Sequence, residues 1–283
     1  MGTSQSSDGS PGGVPLVPPW VPDLPPLDVA AVPPSDDGSQ APEPTPATNA
    51  PITAPVPIAP AGRFSAARKS LGGFAGSGNS TAMRRGLGHY IRSGYGGSNT
   101  AVRRFGGTAA AASALYGALS GGAQAQLREA GSPLDSRIQS EHAADEVIDV
   151  VIEIVRPIDG TQDAEAGRPA VGDALSELLA RFPDADLLNL TEEQKAFAIE
   201  RYVALDVFQR LSLDLGKALC EKAPSAVTAL SRLKQIKDYV KETVAASFRK
   251  IRDSGRTMTA NSISSVVRLA LTDTFQVFEG YAE

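Results

Sequence analysis

The chain has 283 residues and a net charge of −5, a total that hides three blocks of −6, +9 and −8 over residues 1–62, 63–128 and 129–283. Its single cysteine, Cys220, excludes an intramolecular disulfide, and with only two histidines, His89 and His142, it makes no plausible zinc set. The start lacks the basic and apolar regions of a secretory signal, and the longest weakly polar run, Thr108–Leu119, is too short to cross a bilayer, so a soluble cytoplasmic protein without membrane contact is expected.

Residues 1–62 hold sixteen of the 21 prolines, six acidic residues and no Lys or Arg. Such a segment buries too little apolar area to offset its chain entropy, so the composition predicts a disordered, Pro-rich acidic tail with polyproline-II bias. One apolar island interrupts it, Leu16, Val17, Pro18, Pro19 and Trp20. Proline pre-sets an extended backbone and Trp20 can fill a partner's pocket, so these five are candidate partner-binding residues; the alternative is a spacer carrying one tryptophan. At the start, Met1 before Gly2 is normally trimmed, which would leave an unhindered glycine amine. The string also fits a short N-myristoylation pattern, but no polybasic second signal accompanies it, and an ordinary processed terminus is the simpler reading.

Residues 63–128 hold nine Lys/Arg, no Asp or Glu, and about half of the glycines. They read as a basic Gly/Ala/Arg-rich, partly helical segment. Helices are expected over about Phe64–Phe74, Ser80–Ile91 and Asn99–Leu119, with Ser80 and Ser98 as N-caps. Arg84, Arg85, His89, Tyr90, Arg92, Arg103 and Arg104 are candidate nucleic-acid or partner-binding residues. Arginine forks suit phosphate or carboxylate, and Phe74, Tyr90, Tyr95 and Phe105 between them could stack on bases. A nucleic-acid surface, a docking face for an acidic partner or for the chain's own acidic part, and a solvated linker all remain open. The run Gly86-x-Gly88…Gly94-x-Gly96-Gly97 is only a weak phosphate-loop signal, and the P-loop signature is absent from the sequence.

Residues 129–283 carry 26 acidic against 18 basic residues and read as an α-helical bundle domain. Val147–Val155 fails a period of two and fits a helix. Asp173–Phe182 reads as a short helix stopped by Pro183. Thr191-Glu192-Glu193-Gln194 is a capping box opening a long central helix to about Lys222. Ser225 caps the next helix, which ends near Ser254 with Gly255 behind it. Its core stripe is Leu233, Ile236, Val240, Val244 and Ile251. Lys234, Lys237, Lys241, Arg249 and Arg252 share another face, read as solvated and paired rather than as a binding stripe. The last helix, about Ala260–Glu279, presents Ile263, Val266, Val267, Leu271, Phe275 and Phe278. The fold class is therefore all-α. Without a Gly-x-Ser-x-Gly elbow or a metal set, and with Cys220 expected as a small core residue, no catalytic residue, no cofactor and no enzyme activity are expected.

At Gly86-Leu87-Gly88-His89-Tyr90-Ile91-Arg92-Ser93-Gly94-Tyr95-Gly96-Gly97-Ser98, and at Asp159–Ala164, Phe182–Asp186, Tyr239–Val244 and Phe275–Tyr281, the chain resembles the QatB family of the Qat bacterial anti-phage operon. The opening Met1–Ser4 and the Pro15–Trp20 island are similar too. The resemblance implies a subunit without enzymatic motifs and three operon partners: a KAP-like P-loop ATPase (QatA), a QueC-like enzyme (QatC) and a TatD-like nuclease (QatD). QueC-type enzymes activate a carboxy-deazaguanine with ATP and amidate it. The resemblance thereby makes Gly2 a candidate acceptor of a deazaguanine through its amine, with Leu16–Trp20 as docking element.

Overall fold

The computed structural model describes residues 62–123, 141–158 and 162–282, without the side chains of 141–143 and 162–166. Gly2 and the Leu16–Trp20 island lie outside the described residues.

The chain turns sharply at glycines between its first helices. Helix α1 (Ser65–Ser77) ends at Gly78, whose φ of +75° is left-handed and whose N–H returns to the Phe74 carbonyl. Asn79 then opens α2 (Ser80–His89), its side chain accepting from the Thr81 N–H at 2.8 Å. The cap is thus Asn79, one residue before the expected Ser80, because Asn79 keeps an extended backbone while Ser80 is already helical. Helix α2 runs on into a π-helical turn, Tyr90–Tyr95, stopped by Gly96 at φ +83°.

The expected single helix Asn99–Leu119 is two helices, α3 (Ser98–Arg104) and α4 (Gly106–Gly117), the second continuing into a π-helical turn at Ala118–Gly122. Phe105 leaves helical geometry between them at φ −90°, ψ 17°. The bend lets its ring bury fully against Tyr95 and Phe275, with centroids 5.6 and 5.0 Å away. Gly106-Gly107 would have made a weak helix interior, so the aromatic contacts prevail. Gly97, not Ser98, sits at the cap position, and the Ser98 N–H goes instead to Glu279 Oε2 at 3.0 Å.

Helix α5 (Glu141–Val155) buries Val147, Val151 and Val155 at four-residue spacing, as the failed period of two required. Helix α6 (Gln162–Arg181) starts well before the expected Asp173 and carries Pro169 inside it. Proline removes one helical hydrogen bond there. Burial of Ala170, Val171, Ala174, Leu175 and Leu178 offsets that loss.

Helix α7 (Glu192–Lys222) opens with the Thr191/Gln194 capping box and is the hub on which α1, α4, α6 and the next helix, α8 (Ala226–Asp253), all pack. Helix α8 is capped by Ser225, which accepts from the Thr228 N–H. It ends in a Schellman turn: Gly255, at φ +81°, donates to Arg252, and Arg256 donates to Ile251. Helix α9 (Ile263–Glu279) buries all six residues expected of it, and a 3-10 turn, Gly280–Ala282, closes the described chain. Among the described residues no strand occurs, and the fold is an all-α bundle.

The compositional seam near residue 128 is not a seam in packing. Phe64, Leu71, Phe74, Leu87 and Ile91 belong to the same hydrophobic core as Ile199, Val203, Val244 and Phe275. The cationic face of α8 turns mostly towards α6 and its own acids: Lys237 pairs with Asp173 at 3.6 Å, Lys241 with Glu177 at 2.7 Å, and Lys234 with Asp238 at 2.7 Å. Cys220 is exposed rather than in the core. It follows Leu219 by 100° of helical turn, and Leu211, Leu215 and Leu219 take the core line.

Candidate interaction surface and buried polar clusters

The glycine run Gly86–Gly97 holds the molecule together. A Cβ built on Gly86 would stand 2.5 Å from Leu71 Cγ, one on Gly88 2.5 Å from the backbone nitrogen of Ala282, and one on Gly94 2.4 Å from the Phe64 ring. Only hydrogen fits at these approaches. The run therefore joins α1, α2 and the C-terminal turn, and its first part is helix, so it forms no phosphate-cradling loop.

The seven candidate residues of this region separate by burial. Arg85, Arg92, Arg103 and Arg104 are exposed. Arg84 is exposed too and lies over two rings, 5.7 Å from the Tyr239 centroid and 5.9 Å from that of Tyr281. His89 is half-buried, and its Nδ1 is buried without a hydrogen-bond partner among the described residues. Tyr90 differs from the expectation: it is 1% exposed, stacked on Phe64 at 5.2 Å, and presents no ring face to a partner. Phe74 and Phe105 are buried as well. Expected as stacking platforms, these three rings are core residues, because the apolar spacing that interleaves them with arginine is helical and turns them inward.

Two polar clusters that sequence reasoning missed lie beneath this surface. In the first, Tyr90 donates to Asp214 Oδ2 at 2.9 Å and Tyr95 donates to the same oxygen at 3.4 Å. Burial pushes the Asp214 carboxyl up and the two phenol hydrogen bonds oppose that shift. Burial likewise raises Tyr90, and raises Tyr95 to about 12. In the second cluster, Asp206 is 2% exposed. It accepts from Thr108 Oγ1 at 2.5 Å and pairs with Arg156 at 3.6 Å and Arg210 at 3.4 Å. Arg156 also donates to the Tyr202 hydroxyl at 2.9 Å, and burial followed by the Asp206 charge raises that phenol. A signal for both was present: Asp206 stands between Leu205 and Val207, and Asp214 between Leu213 and Leu215. Both carboxylates are occupied by the chain's own donors, which makes them packing elements that tie α7 to residues 62–123.

Among the described residues no three His, Cys, Asp or Glu side chains stand together in a way that could hold a metal ion, and no helix is long and apolar enough to cross a membrane.

Fold and clusters define an α-helical bundle protein whose Asp206 and Asp214 carboxylates are held by the chain's own donors. A family model described as Qat anti-phage system associated protein QatB matches residues 96–278, from the end of the glycine run through α9 and well over half of the chain. The chain belongs to the QatB family, and with it to Qat anti-phage defence, which implies other Qat components as partners. No curated protein and no solved structure matches it.

Proposed function

We propose that the chain is a non-catalytic subunit of a cytoplasmic Qat complex, its helical body a docking platform for the KAP-like ATPase and its N-terminal Gly2 the substrate of the QueC-like enzyme. The TatD-like nuclease is a further partner. The observation that carries the reading is the division of the chain. The family match lies on helices whose buried polar groups serve packing, while a Pro-rich acidic stretch outside the match offers one small amine behind Met1. That amine would take the place of ammonia. Its nitrogen attacks the ATP-activated carboxyl carbon of the deazaguanine, an amide forms, and the activating group and one proton leave.

Intact mass of the full chain, expressed alone and beside the QueC-like enzyme, tests this. A deazaguanine-sized gain on the N-terminal peptide only with the enzyme is expected, and Gly2→Phe, which keeps Met1, should abolish it. An unchanged wild-type mass, or a gain that survives Gly2→Phe, overturns the modification.

A second reading, a nucleic-acid sensor, is favoured by the exposed arginines at 84, 85, 92, 103 and 104. It requires binding that falls steeply with salt, and a flat response removes it.

A further inference from the structure

Ten basic side chains between Arg156 and Lys250 stand at ion-pair distance from a carboxylate. Arg85, Arg92, Arg103 and Arg104 are exposed and have no such partner among the described residues. The cause is compositional, since residues 63–128 contain no Asp or Glu to supply one.

Their mounting is rigid. Helix α2 and its π turn form one rod from Ser80 to Tyr95, on which Arg85 and Arg92 are seven residues apart with His89 between them. Two helical turns place these positions near one line on the side away from Met83, Leu87 and Tyr90, about 10 Å apart along the axis. Behind them, Gly86, Gly88 and Gly94 are in close contact with α1 and the C-terminal turn. Helix α3, which packs against the π turn, carries Arg103 and Arg104 in its last turn. A rigid backbone lowers the ordering cost of binding.

We infer that this outer face, carried by Arg85 and Arg92, docks an acidic helix of another Qat component. The inference rests on the proposal that the body is a docking platform. Carboxylates at two-turn spacing on a partner helix repeat at the same interval of about 10 Å, and guanidinium forks take carboxylates with two parallel hydrogen bonds. Three rings that would stack on bases, Phe74, Tyr90 and Phe105, are buried.

The test is co-purification from cells expressing the whole Qat operon with the full chain as wild type, as R85E/R92E and as the milder R85Q/R92Q. Melting by circular dichroism should be unchanged in both variants, since the side chains are exposed. Recovery of one Qat component should fall at least tenfold with R85E/R92E and by less with R85Q/R92Q. Undiminished recovery with a folded R85E/R92E chain overturns the inference and leaves the platform reading intact. Failure of the wild type to recover any Qat component overturns both. Undiminished recovery together with loss of binding to a labelled DNA duplex would give the face to nucleic acid instead.

Discussion

The Tyr90 hydroxyl donates to Asp214 Oδ2 at 2.9 Å across 124 residues of chain, fastening the basic segment to the central helix. Tyr90→Phe removes that donor from a carboxylate which burial already disfavours. A stability loss of about 1.5 kcal/mol is expected in urea unfolding at neutral pH.

The same pair sets a pH dependence. The Asp214 carboxyl is held above its ordinary 3.8 in the folded chain, so folding binds its proton more tightly. The resulting stabilisation is full below 3.8 and is lost as pH rises through the raised value. On acidification through that window the wild type should therefore gain stability relative to Asp214→Asn. A constant difference between the two unfolding free energies from neutral pH to 3.8 would contradict the shift.

Gly88 and Gly73 make a matched test of the glycine seam. A methyl at Gly88 meets backbone atoms of Ala282, Tyr281 and Phe278 within 2.9 Å, and backbone cannot swing aside. Gly88→Ala should cost about 1–3 kcal/mol. Gly73, also helical, has nothing within 4 Å of that position, so Gly73→Ala should stabilise by up to about 1 kcal/mol. Thermal melts of the two variants should move in opposite directions.

Asp206 lies between Arg156 and Arg210 at 2% exposure. Asp206→Ala would remove the carboxylate that two mostly buried guanidiniums and the Thr108 hydroxyl share, at a cost of about 3–5 kcal/mol. The exposed Lys217–Glu221 pair offers the contrast. Lys217→Ala should fall within about 0.5 kcal/mol of wild type in the same denaturant titration.

Cys220 should react with iodoacetamide in the native chain to one adduct, without denaturant, because its side chain is exposed. Intact mass reads the result directly, and a thiol that labels only after unfolding would contradict the placement.

Much of this fold could be read locally. The capping box at Thr191, the Ser225 cap, the Gly255 stop and the apolar stripe of α9 are contained in stretches of a few residues, and helical periodicity alone sorts their faces. The seven candidate surface residues were only partly legible. Arginine exposure followed from charge, but whether Tyr90 faced water or core depended on Phe64 and on a carboxylate 124 residues away.

The sequence by itself determined that the described chain is helical, where α7 and α8 cap, and that its charge is divided into blocks. Composition and short-range periodicity are local properties, and the described helices obey them. Only the tertiary structure decided that Phe105 breaks a helix to reach Phe275, that Pro169 stays inside one, that Cys220 faces outward, and that the glycine run is a packing seam. Each of these depends on what a face meets across the bundle, and the energy of burying a side chain against a distant partner outweighs the preference of its own neighbours.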